Sequence, residues 1–143
     1  MTIIHRTRTE LGKRPVAEAI TTRGKELSPR DTVGVARQLF ARQSVQLLPV
    51  LEGTTYIGAL GWDTIGDEVP ADTPVAGFVA RLAPTTRATT PTDEALAALD
   101  LVGAKRLVVL GEDEATYVGM VCLRGDRERL CVDAECHLEA AEV

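Results

Sequence analysis

Thr55-Tyr56-Ile57-Gly58 and Thr116-Tyr117-Val118-Gly119 are two copies of one short stretch, and the predicted organisation of the chain follows from them. Each copy ends a hydrophobic hairpin, and each hairpin follows a helix-like segment that opens on a proline and an aspartate. A unit that occurs twice in the same order within 143 residues indicates one supersecondary unit that has been duplicated.

The matched residues of the two copies keep a near-constant separation along the chain. It is 59 positions from Pro15 to Pro74 (74 − 15), 62 from Pro29 to Pro91 (91 − 29) and 61 from Gly58 to Gly119 (119 − 58). Unrelated helices and strands would not keep this order, so we interpret the chain as a duplication with small insertions.

The composition is that of a globular protein with an aliphatic core. Hydrophobic residues make up 45% of the chain but aromatic residues only 3%, so leucine, valine, isoleucine and alanine must form the core. Few aromatic side chains also means few platforms on which nucleic-acid bases could stack. The net charge is −5, which is unfavourable for binding a phosphate backbone, and we therefore predict no nucleic-acid partner.

The expected location is the cytoplasm. The chain contains no run of 18 apolar residues, so we predict no transmembrane helix and no membrane partner. Charges are scattered through Met1 to Arg14, which is not the pattern of a signal peptide. In the cytoplasm the three cysteines, Cys122, Cys131 and Cys136, are expected to be reduced thiols.

The copies divide the chain into five predicted segments. They are an N-terminal arm at 1–14, a first repeat at 15–66, a linker at 67–73, a second repeat at 74–128 and a C-terminal tail at 129–143. Thr2-Ile3-Ile4 could add an edge strand, but the scattered charges of the arm favour a solvated terminus. The linker is polar, and Pro70 interrupts any regular secondary structure in it.

Each repeat is predicted to contain helices followed by a hairpin. In the first repeat the predicted helices are 15–22 and 32–43, the strands are 46–51 and 55–60, and a helical turn follows at 62–65. In the second repeat the helices are 74–82 and 94–102, the strands are 106–110 and 115–123, and 84–90 is an extended connector. Asp31 is the expected N-cap of the helix at 32–43. We interpret Pro91-Thr92-Asp93 as the repeat of Pro29-Arg30-Asp31.

A resemblance to a known family rests on residues from both copies. They are Val16 to Thr21, Ser28 to Val33, Leu48-Pro49-Val50 and Tyr56-Ile57-Gly58 in the first copy, and Thr90 to Leu96, Gly103 to Val109 and Tyr117-Val118-Gly119 in the second. With these residues each copy resembles a CBS domain, the small module first named from cystathionine β-synthase. The resemblance covers residues 15 to 128 and implies an α+β fold in which two β-α-β-β-α repeats pack about a pseudo-twofold axis.

The same resemblance implies a function. CBS pairs commonly bind adenine nucleotides or S-adenosyl compounds between their two halves, form dimers and regulate another protein. For this chain it implies a regulatory or sensor module, not an enzyme, with AMP, ADP, ATP or S-adenosylmethionine as the regulatory ligand. The alternative is a CBS pair without nucleotide binding that acts as a dimerisation or protein-interaction module. The sequence does not identify the regulated partner.

The ligand signature of CBS domains is altered in both copies. In the family it reads Gly-hydrophobic-x-Ser/Thr-x-x-Asp, where the aspartate binds ribose hydroxyls and the Ser or Thr hydroxyl reaches a phosphate. Those two positions hold Gly61 and Thr64 in the first copy and Cys122 and Gly125 in the second. Asp63 stands one residue early and Asp126 one residue late, and one residue on a helical turn is about 100° of rotation.

A nucleotide is expected to prefer the second copy, because its hydroxyl and guanidinium groups suit a phosphate. The candidate ligand-binding residues are Thr85, Thr86, Arg87, Leu107, Val108, Cys122, Arg124, Asp126 and Arg127 in the second copy, and Leu48, Pro49, Asp63 and Thr64 in the first. Leu107 and Val108 would form the apolar wall for adenine, and Asp126 is the carboxylate nearest the ribose position.

Metal and catalytic sites are not predicted. Cys131, Cys136 and His137, with Cys122 as a further ligand, form one loose group, whereas structural zinc sites usually have two tight pairs. His5 and His137 lie at opposite ends of the chain, so no nucleophile and base pair is visible.

A homodimer is predicted. The repeats leave large apolar side chains, such as Trp62 and Phe40, that one small module would not fully cover. The family to which the chain is similar also tends to pair. Trp62 is interpreted as a packing or dimer-contact residue rather than a platform for a base.

Overall fold

The computed structural model describes residues 3–21, 26–42 and 45–133. The predictions that concern Thr2, Thr22, Gln43, Cys136 and His137 fall outside these residues. The described strands are β1 (Ile3–Thr7), β2 (Leu47–Glu52), β3 (Thr55–Gly61), β4 (Thr85–Arg87), β5 (Arg106–Leu110), β6 (Tyr117–Leu123) and β7 (Arg129–Asp133). The described helices are α1 (Arg8–Leu11), α2 (Val33–Phe40) and α3 (Thr92–Val102), with 3₁₀ turns at Val16–Ala19 and Val75–Phe78. The predicted α+β class is confirmed.

The chain forms two compact units. The terminal unit combines residues 1–23 with residues 83–143, and the central unit spans residues 24–82. Each unit therefore contains the helix and hairpin of one repeat together with the leading segment of the other repeat. These spatial units divide the chain differently from the predicted repeats at 15–66 and 74–128. The repeat boundaries therefore stay a prediction about the duplicated sequence.

The terminal unit contains a five-stranded sheet with the order β1-β7-β6-β5-β4. The β4 and β5 strands are parallel, and the other neighbours are antiparallel. Alternate side chains of the sheet join α3 in one apolar core. Its buried members are Leu11, Val16, Ala19, Ile20, Ala95, Leu96, Leu99, Leu107, Val109, Val121, Leu123, Leu130 and Val132.

The α3 helix has clear start and stop signals in the sequence. Pro91 occupies the N-cap, and Asp93 and Glu94 in the first turn complement the positive end of the helix dipole. Gly103 ends the helix in the left-handed conformation, with a φ angle of 69°. With 11 residues α3 is the longest helix in the described ranges, and no helix there is long and apolar enough to cross a membrane.

The central unit packs α2 against the antiparallel β2–β3 hairpin. Its core contains Leu27, Val33, Ala36, Val45, Leu48, Val50, Leu60 and Val75. Thr32, rather than the predicted Asp31, is the N-cap of α2, because its hydroxyl accepts the backbone N–H of Val35. The Asp31 carboxylate instead accepts the backbone N–H of Ser28 at 2.8 Å.

The two hairpins share a β-bulge at the same place in the repeat. The register shifts between Val50 and Leu51 in the β2–β3 pair, and between Val109 and Leu110 in the β5–β6 pair. A bulge places one extra residue in one strand and increases the local twist. Because both bulges fall inside the Tyr-x-Gly stretch, the backbone supports the duplication that the sequence predicts.

The leading segments make equivalent hydrogen bonds in the two units. Val16 N–H donates to Thr90 O at 2.8 Å, and 59 residues later Val75 N–H donates to Asp31 O at 2.8 Å. Thr21 exchanges two backbone hydrogen bonds with Met120 in the terminal unit. The pair Ala80 and Ala59 makes the same exchange in the central unit.

One predicted match between the copies is wrong. Thr32 and Pro91 are the N-caps of α2 and α3, and they are 59 positions apart (91 − 32). Pro29, which we matched to Pro91 at a separation of 62, lies in the turn before α2. Its carbonyl accepts the N–H of Ala76 as the carbonyl of Ala88 accepts the N–H of Ala17. The two prolines, Pro29 and Pro91, therefore have different structural roles.

The predicted solvated arm is also wrong within the described residues. Strand β1 is the edge strand of the sheet and pairs with β7, a strand that lies in the predicted tail. Helix α1 then begins with a capping box in which Thr7 and Glu10 each accept a backbone N–H of the other. The suggestion that this segment adds an edge strand is confirmed.

Several predicted helices are shorter in the structure. The segments predicted as helices at 15–22 and 74–82 contain only the 3₁₀ turns Val16–Ala19 and Val75–Phe78. The predicted helical turn at 62–65 is a hydrogen-bonded turn, in which Thr64 N–H donates to Gly61 O at 3.0 Å. Both turns are four residues long, which is a typical length for a 3₁₀ helix used as a connector.

Candidate functional site

The five-stranded sheet of the terminal unit has an inner face toward α3 and an outer face on the opposite side. Leu107 and Val109 of β5 belong to the core with α3, so Val108 between them points to the outer face. Val121 and Leu123 of β6 are likewise core residues, which places Met120 and Cys122 on the outer face.

Four of the predicted ligand residues, Thr85, Arg87, Val108 and Cys122, share this outer face. Thr85 lies opposite Val108 in the parallel pair of β4 and β5, and Arg87 follows Thr85 on the same side of β4. Cys122 lies on the outer face two strands away from β4. Thr85 and Arg87 are exposed, whereas Val108 is fully buried. The polar members of the group are therefore available to a ligand, and the proposed adenine wall is not exposed.

Leu107 and Thr86 lie on the inner face, apart from the other predicted residues. Leu107 is a buried member of the core under α3. The Thr86 hydroxyl donates to the Thr90 hydroxyl at 2.8 Å, which connects β4 to the turn that precedes α3. Both side chains thus stabilise the terminal unit from within.

Arg124 lies beyond the end of β6 and faces the N-terminal strand. Its Nη1 is 2.9 Å from Nε2 of His5 and 3.9 Å from Sγ of Cys131. The guanidinium group is exposed, but its nearest partners belong to β1 and β7 rather than to β4. Arg124 therefore follows a strand that lies two strands away from β4, and its guanidinium group lies toward the opposite edge of the sheet from Arg87.

Asp126 is held by its own hairpin turn. Its carboxylate accepts the backbone N–H groups of Glu128 at 3.0 Å and Arg129 at 3.1 Å, and Nε of Arg129 at 2.9 Å. These hydrogen bonds, led by the one from Glu128, lower the pKa of Asp126 to about 2. The carboxylate that we predicted near the ribose position thus closes the β6–β7 connection.

Arg127 fastens the same connection to the end of α3. Its Nη2 lies 2.8 Å from Oδ1 of Asp100 and donates to the carbonyl of Ala104 at 3.0 Å. Arg8 reaches the other carboxylate oxygen of Asp100 at 2.8 Å. Hydrogen bonds from Arg8 and then Arg127 lower the pKa of Asp100 to about 2. The two guanidinium groups and one carboxylate form a structural cluster that joins α1, α3 and the turn before β7.

The four predicted ligand residues of the central unit have different structural roles. Leu48 belongs to the core, and Pro49 is a buried residue of the same strand. The Thr64 hydroxyl accepts the N–H of Gly61 at 2.9 Å and stabilises the turn after β3. Asp63 of this turn is exposed.

The sequence analysis missed a row of polar and sulfur-bearing side chains across the outer face. In register, His5 of β1 lies opposite Cys131 of β7, Cys131 lies opposite Cys122 of β6, and Cys122 lies opposite Arg106 of β5. The signal that could have revealed them is the alternation of apolar residues around Cys122 and Cys131, since the residues on either side of each cysteine belong to the core. The contribution of His5 was missed, because the suggested edge strand ended at Ile4 and the arm as a whole was expected to be solvated.

A metal centre finds no support in the described residues. Within the ranges that the structure describes, no three histidine, cysteine, aspartate or glutamate side chains are grouped so that they could hold a metal ion. Cys136 and His137 lie outside those ranges, so the expectation of a metal-free protein stays a prediction.

Similar folds occur in several solved structures. The CBS domain of a bacterial CNNM/CorC family Mg²⁺ transporter in complex with ATP is 20% identical, with a TM-score of 0.62, over 80% of this chain and 85% of that chain. The cystathionine β-synthase pair domain of a Shewanella oneidensis MR-1 protein is 17% identical, with a TM-score of 0.67, over 94% and 76%. The CBS domains of a transcriptional regulator from Streptococcus pneumoniae are 19% identical, with a TM-score of 0.60, over 82% and 92%.

These similarities concern the fold. No protein-family model and no curated protein sequence matches this chain.

Proposed function

From the premise that the chain has the fold of a tandem CBS pair, we propose that it is a regulatory interaction module that works as a homodimer. The observation that carries the proposal is an apolar stripe on the solvent-facing side of α3. Along this side lie Ala97, Ala98, Leu101 and Val102, and all four are exposed. Leu101 is 88% exposed and Val102 is 67% exposed, although burial of either would be favourable.

The duplication provides an internal comparison for this stripe. At the constant separation of 59 positions, Gln38 and Arg42 of the first repeat correspond to Ala97 and Leu101 of the second. Both of these residues are exposed and polar, whereas Leu39, which corresponds to Ala98, packs against the core of the central unit. The second copy has Leu101 and Val102 where the first copy has Arg42 and Gln43, which supports a partner for α3.

The sequence of the stripe is complementary to itself when two helices run antiparallel. About a twofold axis between positions 99 and 100, Ala97 faces Val102 of the second copy and Ala98 faces Leu101. Small side chains opposite large ones allow two helices to approach closely. We propose that the partner is a second copy of this chain.

Charges at the two ends of α3 favour the same arrangement. Glu94 is exposed in the first turn, and Lys105 is exposed just beyond the C-cap. An antiparallel pair places each Glu94 near Lys105 of the other copy, because 94 and 105 are symmetric about the axis. The apolar contact is small, so the expected dissociation constant is on the order of micromolar.

The test exchanges these charges one at a time and then together. Glu94→Lys and Lys105→Glu should each weaken the dimer in sedimentation equilibrium, since each variant places like charges opposite each other. The double variant should recover most of the lost affinity, because it restores opposite charges in the same positions. Equal dimerisation of all four proteins, or no recovery in the double variant, would reject the antiparallel pairing.

Nucleotide sensing is a second candidate function, and the exposed pair Thr85 and Arg87 favours it. Hydroxyl and guanidinium donors on one face suit a phosphate, and one protein of the same fold forms a complex with ATP. Asp126 and Arg127 are engaged within the chain, so we expect weak binding.

Calorimetric titration with AMP, ADP, ATP and S-adenosylmethionine tests this candidate. Arg87→Ala should weaken any nucleotide binding about tenfold or more, the cost of one charged hydrogen bond. Arg42→Ala removes the same charge from an exposed position of the central unit and serves as the control. No heat with any of the four compounds would leave the interaction module as the function.

A further inference from the structure

We infer that Cys122 and Cys131 form a reversible disulfide, so that the outer face of the sheet carries a site of thiol oxidation. The two cysteines lie directly opposite each other in β6 and β7. Side chains that oppose each other in an antiparallel pair point to the same face, with Cβ atoms about 4.5–5.5 Å apart. This inference is independent of dimerisation and of nucleotide binding.

The backbone register fits the geometry of a disulfide. The N–H of Arg124 donates to the carbonyl of Arg129 at 2.8 Å, which makes these residues a hydrogen-bonded pair. Two positions along an antiparallel ladder the pair type repeats, so Cys122 and Cys131 have a Cα separation of about 5.5 Å. Disulfides form at Cα separations of about 4.4–6.8 Å, so the bond needs little backbone movement.

The same geometry makes the bond easy to reduce. The Cβ atoms of a relaxed disulfide are about 3.8 Å apart, so the strands must draw together slightly when the bond forms. The closed loop is short, and it contains only residues 123–130, which limits the stabilisation that a crosslink gives by restricting the unfolded chain. Strained disulfides have the higher reduction potentials of regulatory bonds rather than structural ones.

The neighbours of the sulfur atoms assist the exchange reaction. Nη1 of Arg124 is 3.9 Å from Sγ of Cys131. Thiol–disulfide exchange places negative charge on the attacking and leaving sulfurs, and nearby guanidinium groups stabilise that charge. Cys122 is partly exposed, whereas Cys131 is 9% exposed, so an oxidant reaches Cys122 first.

The oxidant is a low-molecular-weight disulfide. The Cys122 thiolate attacks one of its sulfurs, forms a mixed disulfide and releases one small thiolate. The Cys131 thiolate then attacks Sγ of Cys122, forms the protein disulfide and releases the second small thiolate. The two cysteine protons go to solvent or to the released thiolates. The protein loses two hydrogen atoms, and the oxidant is reduced to two thiols.

The same row is absent from the central unit within the described residues. Cys122 corresponds to Gly61 at the separation of 61 positions, and β2 and β3 form a two-stranded sheet there. The site therefore belongs to the second copy alone. A disulfide between β6 and β7 would crosslink β7, the strand that pairs with β1 at the edge of the sheet.

The experiment titrates the full chain with mixtures of oxidised and reduced glutathione. Thiols are then blocked with N-ethylmaleimide, and the disulfides are located by mass spectrometry of peptides. Cys136→Ser is the reference protein, because it removes the third thiol. We expect this variant to lose both thiols together and to recover them when reduced glutathione is added in excess. Cys131→Ser should stop at the mixed disulfide on Cys122.

Three results would overturn the inference. In the first, both thiols of the reference protein remain reactive toward N-ethylmaleimide after incubation with glutathione disulfide alone, while circular dichroism shows that the fold is intact. The wild-type chain could instead link Cys122 to Cys136. A Cys122–Cys131 bond that resists excess reduced glutathione would be structural rather than reversible.

Discussion

Gly58 provides the sharpest test of the duplicated hairpin, because its backbone and its surroundings both require glycine. Its φ angle is +155°, which residues with a side chain rarely adopt. A Cβ atom at this position would lie 2.6 Å from Cγ1 of Val79 and 3.0 Å from the carbonyl oxygen of Ala80. The perturbation is Gly58→Ala, the smallest change that adds this atom.

Two costs combine in this variant. An unfavourable backbone conformation costs on the order of 1–3 kcal/mol, and overpacking in a packed site costs roughly 1–3 kcal/mol. The Val79 side chain packs on the central core, and Ala80 exchanges two backbone hydrogen bonds with Ala59, so neither neighbour can move freely. We expect Gly58→Ala to lower the free energy of unfolding by about 3 kcal/mol, which is a large part of the stability of a small domain.

Urea unfolding followed by far-UV circular dichroism measures this loss as a lower midpoint at an unchanged slope. Gly77→Ala is the matched control, because no atom of the described residues lies within 4 Å of its added Cβ. That control should be neutral or stabilising by roughly 0.4–1 kcal/mol, since alanine restricts the unfolded chain. If the two variants were equally stable, the close approach of the leading segment to the hairpin would be wrong.

Two further predictions concern the terminal unit. Because the folded pKa of Asp100 is about 2 against an ordinary 3.8, its contribution to stability is full above pH 4 and is lost as the pH falls through 2. Urea titrations should therefore show the stabilities of the wild type and Asp100→Asn converging as the pH falls from 4 to 2. A difference in stability that stays constant over this range would contradict the cluster with Arg8 and Arg127. Leu99 is fully buried in the core, so Leu99→Ala should cost about 2–5 kcal/mol in urea unfolding, whereas Leu82→Ala, at a position that is 48% exposed, should change stability by about 0.5 kcal/mol or less.

The duplication could be predicted because it rests on strong local patterns. The hairpin run of apolar residues, the turn and the Tyr-x-Gly stretch are repeated, and the strand predicted at 106–110 has those bounds in the structure. The match of Pro29 to Pro91 failed because proline serves a turn in one copy and an N-cap in the other. Such roles depend on hydrogen bonds to a distant leading segment, which no local pattern reveals.

The candidate site was harder to predict, because polar side chains compete for partners that are distant in sequence. Asp126 and Arg127 have the chemistry for a nucleotide, but one closes its own turn and the other binds Asp100. Phe40, which we expected to be not fully covered, is partly buried and packs against the core of the central unit. Trp62, by contrast, is 66% exposed, so the expectation of an uncovered side chain is confirmed there.

Sedimentation equilibrium of the wild type and of Leu101→Glu tests the proposed module most directly. We expect the weight-average mass of the wild type to rise with concentration from 15.4 kDa toward twice that value. Leu101→Glu should remain at the chain mass, because it places a charge at the centre of the α3 pair. The control Val35→Glu changes an exposed apolar residue of α2 and should dimerise like the wild type. A wild-type mass of 15.4 kDa at hundreds of micromolar, or a Leu101→Glu variant that dimerises as well as the control, would contradict the account.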